Sequence, residues 1–480
     1  MGVEPTYIAA WLLPVLIGGG IWAALRGPLR EPGDIAATIG AGWLIGVFAA
    51  AACARAVASA DTARTFALTW PWCVGIGAIA WGVAFLRSRG TSLRPLLAIR
   101  ASSGAGRWLW WLALLLIVTR MLLIGDEASL RPVFPWDAWS AWSTKPKAWF
   151  LSGHAEPYVS MIEWLANPQL AVRTAAAWNY PELLAWVQLW FASAAGGWNE
   201  PLVDVAWCGA LVAFALAAYG YWRALGLAPW LVMLLVYGLI SLPLVDAHVA
   251  LAGYADLWVA ITLGFAVLAW TRWLAFRDPA QLALAVAVAL ALPAIKLEGT
   301  VWLAVFLAAV AFDLVPRWRW RFALVLGAIA VAGVLAVTSR SIHVGWNRIE
   351  IPSLGTFELA WHGVGGAMLE SLFTLPNWHL LWYAVPVLLV LRRARLRTDR
   401  AARLLGLTLL IDFAFLFVLF FFTTASAWAQ DFTSANRLIL QLVPSVFVLA
   451  AVLLRPISAI ETSRADRDKQ PASPAPTVPA

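Results

Sequence analysis

The sequence predicts an all-α, polytopic membrane protein with about 13 crossing helices. Three observations predict it. Hydrophobic residues make up 62% of the 480 and charged residues only 12%, and mean hydropathy is +0.78. Apolar stretches of about 18 to 22 residues, long enough to cross a hydrocarbon layer as helices, recur from end to end. Those stretches are apolar all round, without the one-in-two alternation of a membrane barrel strand. Helices also satisfy their backbone hydrogen bonds internally, where no water can help.

In chain order the crossings are read at about 7–25, 36–57, 66–86, 108–125, 201–222, 228–246, 254–273, 280–295, 298–316, 321–338, 379–392, 404–423 and 437–455. Glu4 stands where a basic n-region would be, so the first run is expected to be a membrane helix and not a cleaved signal peptide. The link after the third crossing carries Arg87, Arg89, Arg94, Arg100 and Arg107, a cluster that belongs in the cytoplasm. Threading from there puts Arg223, Arg272, Arg277, Arg317, Arg319 and Arg321 on the same side. Arg392, Arg393, Arg395, Arg397, Arg400 and Arg403 follow, then Arg464, Arg467 and Lys469 in the tail. The N-terminus then lies outside and the C-terminus in the cytoplasm.

This threading requires the apolar run at 181–196 not to cross. The run is short and contains Glu182, Trp186, Gln188 and Trp190, which suits a helix lying at the interface. Residues 1–107 then hold the first three crossings, and 108–455 the remaining ten. The latter part has outer segments at 126–200, carrying amphipathic surface helices, and at 339–378. Residues 456–480, ending PASPAPTVPA, read as a disordered cytoplasmic tail.

The net charge of +8 is carried by Arg in short links between apolar runs, which is membrane topology and not a nucleic-acid footprint. Cys53, Cys73 and Cys208 fall inside apolar runs, so neither a disulfide nor a metal cluster is expected. No internal repeat is visible, and no acid is read deep within a run. A transporter would need charges near the midplane and broken helices in paired positions.

The outer side has a different inventory. It gathers Asp126, Glu127, Asp137, Lys145, Lys147, Asp246, His248, Tyr254, Asp256, Lys296, Glu298, Arg340, His343, Arg348, Asp431 and Arg437. An ionised group near a helix end costs about 2 to 3 kcal/mol unless paired or hydrated. Loop charges at the water boundary would explain any one of these residues, but not acids and bases from many loops sharing one face. His248 and His343 read as plain loop histidines. The stretch Pro135-Trp136-Asp137-Ala138-Trp139-Ser140-Ala141-Trp142-Ser143-Thr144-Lys145 continues to Lys147, Trp149 and Phe150. It suits a short amphipathic helix in the headgroup layer. Trp139 and Trp142 are also natural platforms for the C–H face of a sugar ring. An interfacial Trp belt explains the aromatics and leaves Asp137 unexplained.

The order of these pieces resembles the GT-C superfamily of polyprenyl-phosphate-sugar glycosyltransferases, which includes protein mannosyltransferases and the aminoarabinose transferases of lipid A. Asp137 matches the acid of the family's first outer loop, with Asp126 and Glu127 competing for that role. Asn179-Tyr180-Pro181-Glu182-Leu183-Leu184 is similar to its Tyr/His-Pro-Pro-Leu stretch. Gly253-Tyr254-Ala255-Asp256 matches its Tyr-Ala-Asp, Lys296-Leu297-Glu298-Gly299 its Lys-Asn-Glu-Gly, and Arg437 its late Arg. Glu182 replaces a common Pro, Leu297 replaces a common Asn, and the three helices before residue 108 are extra.

The resemblance implies transfer of a sugar, with inversion, from a polyprenyl-phosphate donor to an acceptor hydroxyl on a glycan, lipid or protein. The reaction would take place at the periplasmic face of a bacterial inner membrane. Asp137 would take the acceptor proton, and Arg437, Lys296 and Arg348 would hold the lipid phosphate. Tyr180, Tyr254, Asp256, Glu298, Trp139, Trp142 and Lys145 would complete the substrate site. A divalent metal (Mg or Mn) on Asp137 and Asp256 is compatible with hard-cation chemistry, although no ligand spacing demands one. On a regular helix Lys296 and Glu298 would not face each other, but Pro293 points to a break there.

Overall fold

The computed structural model describes residues 4–26, 33–88, 104–315, 320, 343–344, 348–351, 355–358 and 360–456. The crossing expected at 321–338, the tail beyond 456, and Arg89, Arg94, Arg100 and Arg340 lie outside them. The described chain is almost wholly helical. It begins with α1 (Pro5–Arg26), α2 (Asp34–Val57), α3 (Thr65–Ser88) and α4 (Ala105–Leu130). Three short helices follow, α5 (Thr144–Ser152), α6 (Met161–Ala166) and α7 (Leu183–Ala194). The middle of the chain holds α8 (Glu200–Ala224), α9 (Pro229–Ile240), α10 (Pro243–Ala250), α11 (Asp256–Phe276), α12 (Pro279–Ala289), α13 (Leu292–Ile295) and α14 (Gly299–Leu314). The last part holds α15 (Gly365–Leu369), α16 (Leu381–Leu391), α17 (Arg393–Thr398), α18 (Arg400–Phe422), α19 (Ser426–Gln430) and α20 (Ser434–Leu454).

Among the described residues eight helices are long and apolar enough to cross a membrane: α1 to α4, α8, α11, α18 and α20. The pair α9 and α10, bent by 62° at its break, makes a ninth if counted as one span. Large apolar side chains stay exposed along these helices, among them Trp72, Ile79 and Phe85 on α3 and Trp108, Leu115 and Leu122 on α4. An apolar face on that scale needs lipid or another apolar partner. With helices of this length, it makes the protein a multi-pass, all-α membrane protein.

The helix α7 differs from expectation. Its twelve residues extend about 18 Å at 1.5 Å per residue, too short for a hydrocarbon core of about 30 Å. It is not exposed on the protein surface as an amphipathic surface helix would be, however, because Leu184 to Ala192 are all buried. The extra N-terminal helices account for this. Trp190 Nε1 donates to the Ala10 carbonyl at 3.0 Å, and its ring lies 4.8 Å from Phe66. The core therefore runs without a break from α1 to α20. Within residues 126–200 the helix that lies on the protein surface is α6, which exposes Met161, Ile162, Trp164 and Leu165. The stretch 339–378 holds a small antiparallel sheet that the hydropathy pattern does not announce: His343–Val344, Arg348–Ile351 and Gly355–Glu358.

Small residues let α1 and α2 touch backbone to backbone, the usual device where lipid gives helices no reason to associate. A Cβ on Gly46 would lie 1.8 Å from the Pro14 carbonyl oxygen, and one on Gly18 1.9 Å from that of Gly42. Gly46→Ala must push the helices apart. We expect it to cost about 1–3 kcal/mol, read as a lower unfolding temperature in detergent.

Two clusters of charged groups lie at opposite ends of the helices. At one end Asp313 Oδ2, on α14, accepts from Arg277 Nη1 and Trp273 Nε1, both at 2.9 Å, and the carboxylate also pairs with Arg400. Nearby Arg455 pairs with Asp399 at 3.0 Å. Asp256, Lys296 and Arg437 lie at the other end of α11, α14 and α20.

Candidate functional site

Asp256 is the first residue of α11 and is fully buried. Its Oδ1 accepts from Lys296 Nζ at 2.8 Å and Gln441 Nε2 at 2.6 Å. Its Oδ2 accepts from Arg437 Nε at 3.0 Å and Nη2 at 2.9 Å. Four donors saturate the carboxylate, so Asp256 anchors the two cations and has no acceptor position left for a sugar hydroxyl. The remaining Arg437 nitrogen, Nη1, donates to Asp137 Oδ2 at 2.6 Å. The guanidinium carbon stands 4.2 Å from the Tyr254 ring centroid, a cation–π contact that fixes its plane.

Local backbone chemistry holds these groups. Gly253 has φ +111°, and a Cβ there would meet that of Ala138 at 2.5 Å. Only glycine lets the Tyr254 loop approach the turn that carries Asp137. That turn, Ala138–Trp142, is a π-helical one. It is tied to α7 through Gln188, which accepts from Ser143 Oγ at 2.9 Å and donates to the Trp142 carbonyl at 3.1 Å. Trp207 Nε1 donates to the Tyr254 carbonyl at 2.7 Å.

Lys296 adopts extended backbone between α13 and α14, and the break lets it reach Glu298 Oε1 at 3.2 Å. Burial opposes its charge, but Asp256 and Glu298 outweigh burial and hold its pKa above the ordinary 10.5. Tyr180 and Tyr254 are both pushed above the usual phenol value by burial, so each remains a neutral hydroxyl.

Asp137, Trp142, Tyr180, Lys296, Glu298 and Arg437 line a cavity of about 190 Å³. Arg437 and Tyr254 also border a second cavity of about 340 Å³, with His248 and Asn436. Residues from five distant stretches of chain are thus brought together. Others are not. Asp126 is exposed, and Glu127 pairs with Arg131 at 2.9 Å; neither contacts the cluster among the described residues. Trp139 borders a separate groove with Lys147 and Glu200, themselves paired at 2.7 Å. The buried Lys145 donates to the Tyr180 carbonyl at 2.8 Å and pairs with Glu182 at 3.6 Å, so it braces the Tyr180 loop and does not present a cation to a ligand. Arg348 lies on the second strand of the small sheet, and its side chain falls outside the described residues.

A divalent ion shared by Asp137 and Asp256 does not fit this arrangement. The Arg437 guanidinium already bridges the two carboxylates, and Lys296 and Gln441 take the remaining Asp256 oxygen.

Sequence reading missed Gln441 and Asp412 and misplaced His248. Gln441 stands one turn after Arg437 in an apolar helix, a spacing that could have been read. His248 sits on the helix α10 and not in a loop. It is buried, 5.4 Å from the Tyr254 ring, with Nε2 unpartnered among the described residues. Asp412 is a buried acid near the middle of α18 and corrects the reading that no run holds a deep acid. Compared with known proteins, the chain matches no protein-family model, no curated protein and no solved structure.

Proposed function

We propose that the chain is a GT-C-like glycosyltransferase. In this reading it moves a sugar, with inversion, from a polyprenyl-phosphate donor to an acceptor hydroxyl at the periplasmic face of a bacterial inner membrane. The observation that carries the reading is convergence. Asp137, Tyr180, Lys296–Glu298 and Arg437, singled out by their order along the chain, border one cavity of about 190 Å³, and Tyr254 and Asp256 hold Arg437 beside it. In that cavity Asp137 takes the acceptor proton as the anomeric carbon gains positive charge. Arg437 exchanges its Asp137 contact for the lipid phosphate while Asp256 keeps it in place, and Lys296 adds a point charge. The polyprenyl tail lies against the exposed apolar helix faces. The acceptor is a glycan, a lipid or a protein.

The topology belongs to the same proposal: about 13 crossings, an outer N-terminus and a cytoplasmic C-terminus. It makes Asp313 and its arginines cytoplasmic and the Asp137 cluster periplasmic. An alkaline-phosphatase fusion at Glu200 is expected to be active; an inactive one means the chain threads the other way.

Membranes holding the chain, supplied with labelled polyprenyl-phosphate sugars, are expected to pass label from lipid to acceptor. No consumption of the lipid-sugar by the wild type overturns the enzyme reading. A transporter or lipid-linked glycan flippase is the second reading, favoured by Asp412 deep in α18 and by the 62° break between α9 and α10. It predicts labelled lipid moving between leaflets with its sugar still attached.

A further inference from the structure

Asp412 lies near the middle of α18, and Ser445 near the middle of α20. At about 1.5 Å per residue, some 15 Å of helix extends on either side of each. The two residues are 4% and 3% exposed. Asp412 Oδ1 and Ser445 Oγ have no hydrogen-bond partner among the described residues. Both line a small cavity of about 10 Å³.

The described walls carry no counter-charge. Among the described lining residues α11 contributes Leu263 and Val267, and α14 contributes Trp302 and Phe306. On α18 itself the neighbouring polar group is Thr408, which donates to the Leu404 carbonyl at 2.8 Å. The ionised group reached through hydrogen bonds is Asp256. Its Oδ1 accepts from Gln441 Nε2 at 2.6 Å, Gln441 Oε1 accepts from Trp302 Nε1 at 2.5 Å, and the Trp302 ring lines the cavity. Arg437, Gln441 and Ser445 recur every four residues, so they form one stripe down α20 from the outer cluster to mid-membrane.

A carboxylate with neither a cation nor a hydrogen-bonded donor beside it among the described residues is too costly in this setting, and a lone buried acid carries a proton instead. A cavity of this size suits one water. A hard cation needs six or more oxygens, and the site offers a carboxyl and one free hydroxyl. We propose that Asp412 and Ser445 form a proton-binding site inside the membrane, with Asp412 held as the neutral acid and linked to Ser445 through a water. The site stands at the inner end of the Asp256–Gln441–Trp302 column. This inference does not rest on the glycosyltransferase reading.

The test is infrared difference spectroscopy of the full chain in lipid vesicles at neutral pH. Wild type minus Asp412→Asn is expected to show the C=O stretch of an un-ionised carboxylic acid. Asp412→Glu should retain a displaced band, and Ser445→Ala should move it to higher frequency by weakening its hydrogen bond. A difference spectrum that shows carboxylate bands instead, or a band abolished by added sodium ions, overturns the proposal. The second result would assign the site to an alkali cation.

Discussion

Asp137→Asn is expected to lower the rate of sugar transfer by about 10²- to 10⁴-fold, the usual contribution of a positioned general base, while the protein stays folded. The two halves of this expectation rest on different observations. The rate falls because an amide cannot take the acceptor proton. Folding survives because the Asp137 side chain is 41% exposed and makes one of the three hydrogen bonds that hold Arg437. The other two come from Asp256 and remain. Loss of the charged contact at this half-exposed site costs about 1 kcal/mol. Measuring label transfer and unfolding temperature on the same preparation separates the effects. Asp126→Asn is the control, since Asp126 stands apart from the cluster, and it should leave both unchanged. If Asp126→Asn abolishes transfer and Asp137→Asn does not, the base has been assigned to the wrong acid.

Much of this site could be read in the chain, for identifiable reasons. The long helices announce themselves because a crossing segment must be apolar over its whole length; α1 to α4, α8, α11, α18 and α20 all lie where hydropathy puts them. The cluster residues were legible because charged groups at the ends of such helices stand out against an apolar background. Pairing was not legible. Lys145 and Lys296 look alike in sequence, yet one braces a carbonyl and the other faces the cavity, a difference set by chain segments far away. The burial of α7 was hidden because its covering helices belong to the N-terminal segment, which the resemblance treats as an addition to the main domain. Asp412 stood in plain view within an apolar run; Ser445 in the same cavity and the Gln441 stripe become meaningful only once α18 and α20 are side by side.

Asp256→Asn should be the most destabilising change in the cluster. It leaves Lys296 and Arg437 buried with weakened compensation, and breaking a buried pair from one side costs about 3–5 kcal/mol. The double variant Asp256→Asn/Lys296→Met should recover part of that loss, because it removes one of the two stranded charges. Transfer activity should not return with it, since Lys296 faces the cavity. Recovery of stability without activity separates the anchoring role of Asp256 from catalysis. Alkaline pH gives a second readout. The folded-state pKa of Lys296 is raised above its ordinary 10.5, chiefly by Asp256 acting against burial. Its stabilising contribution is therefore complete below pH 10.5 and is lost as pH climbs through the folded value. Wild-type unfolding temperature should fall across that window, and Asp256→Asn, having already lost the interaction, should fall less. Equal slopes would mean that Lys296 draws its stabilisation from Glu298 and not from Asp256.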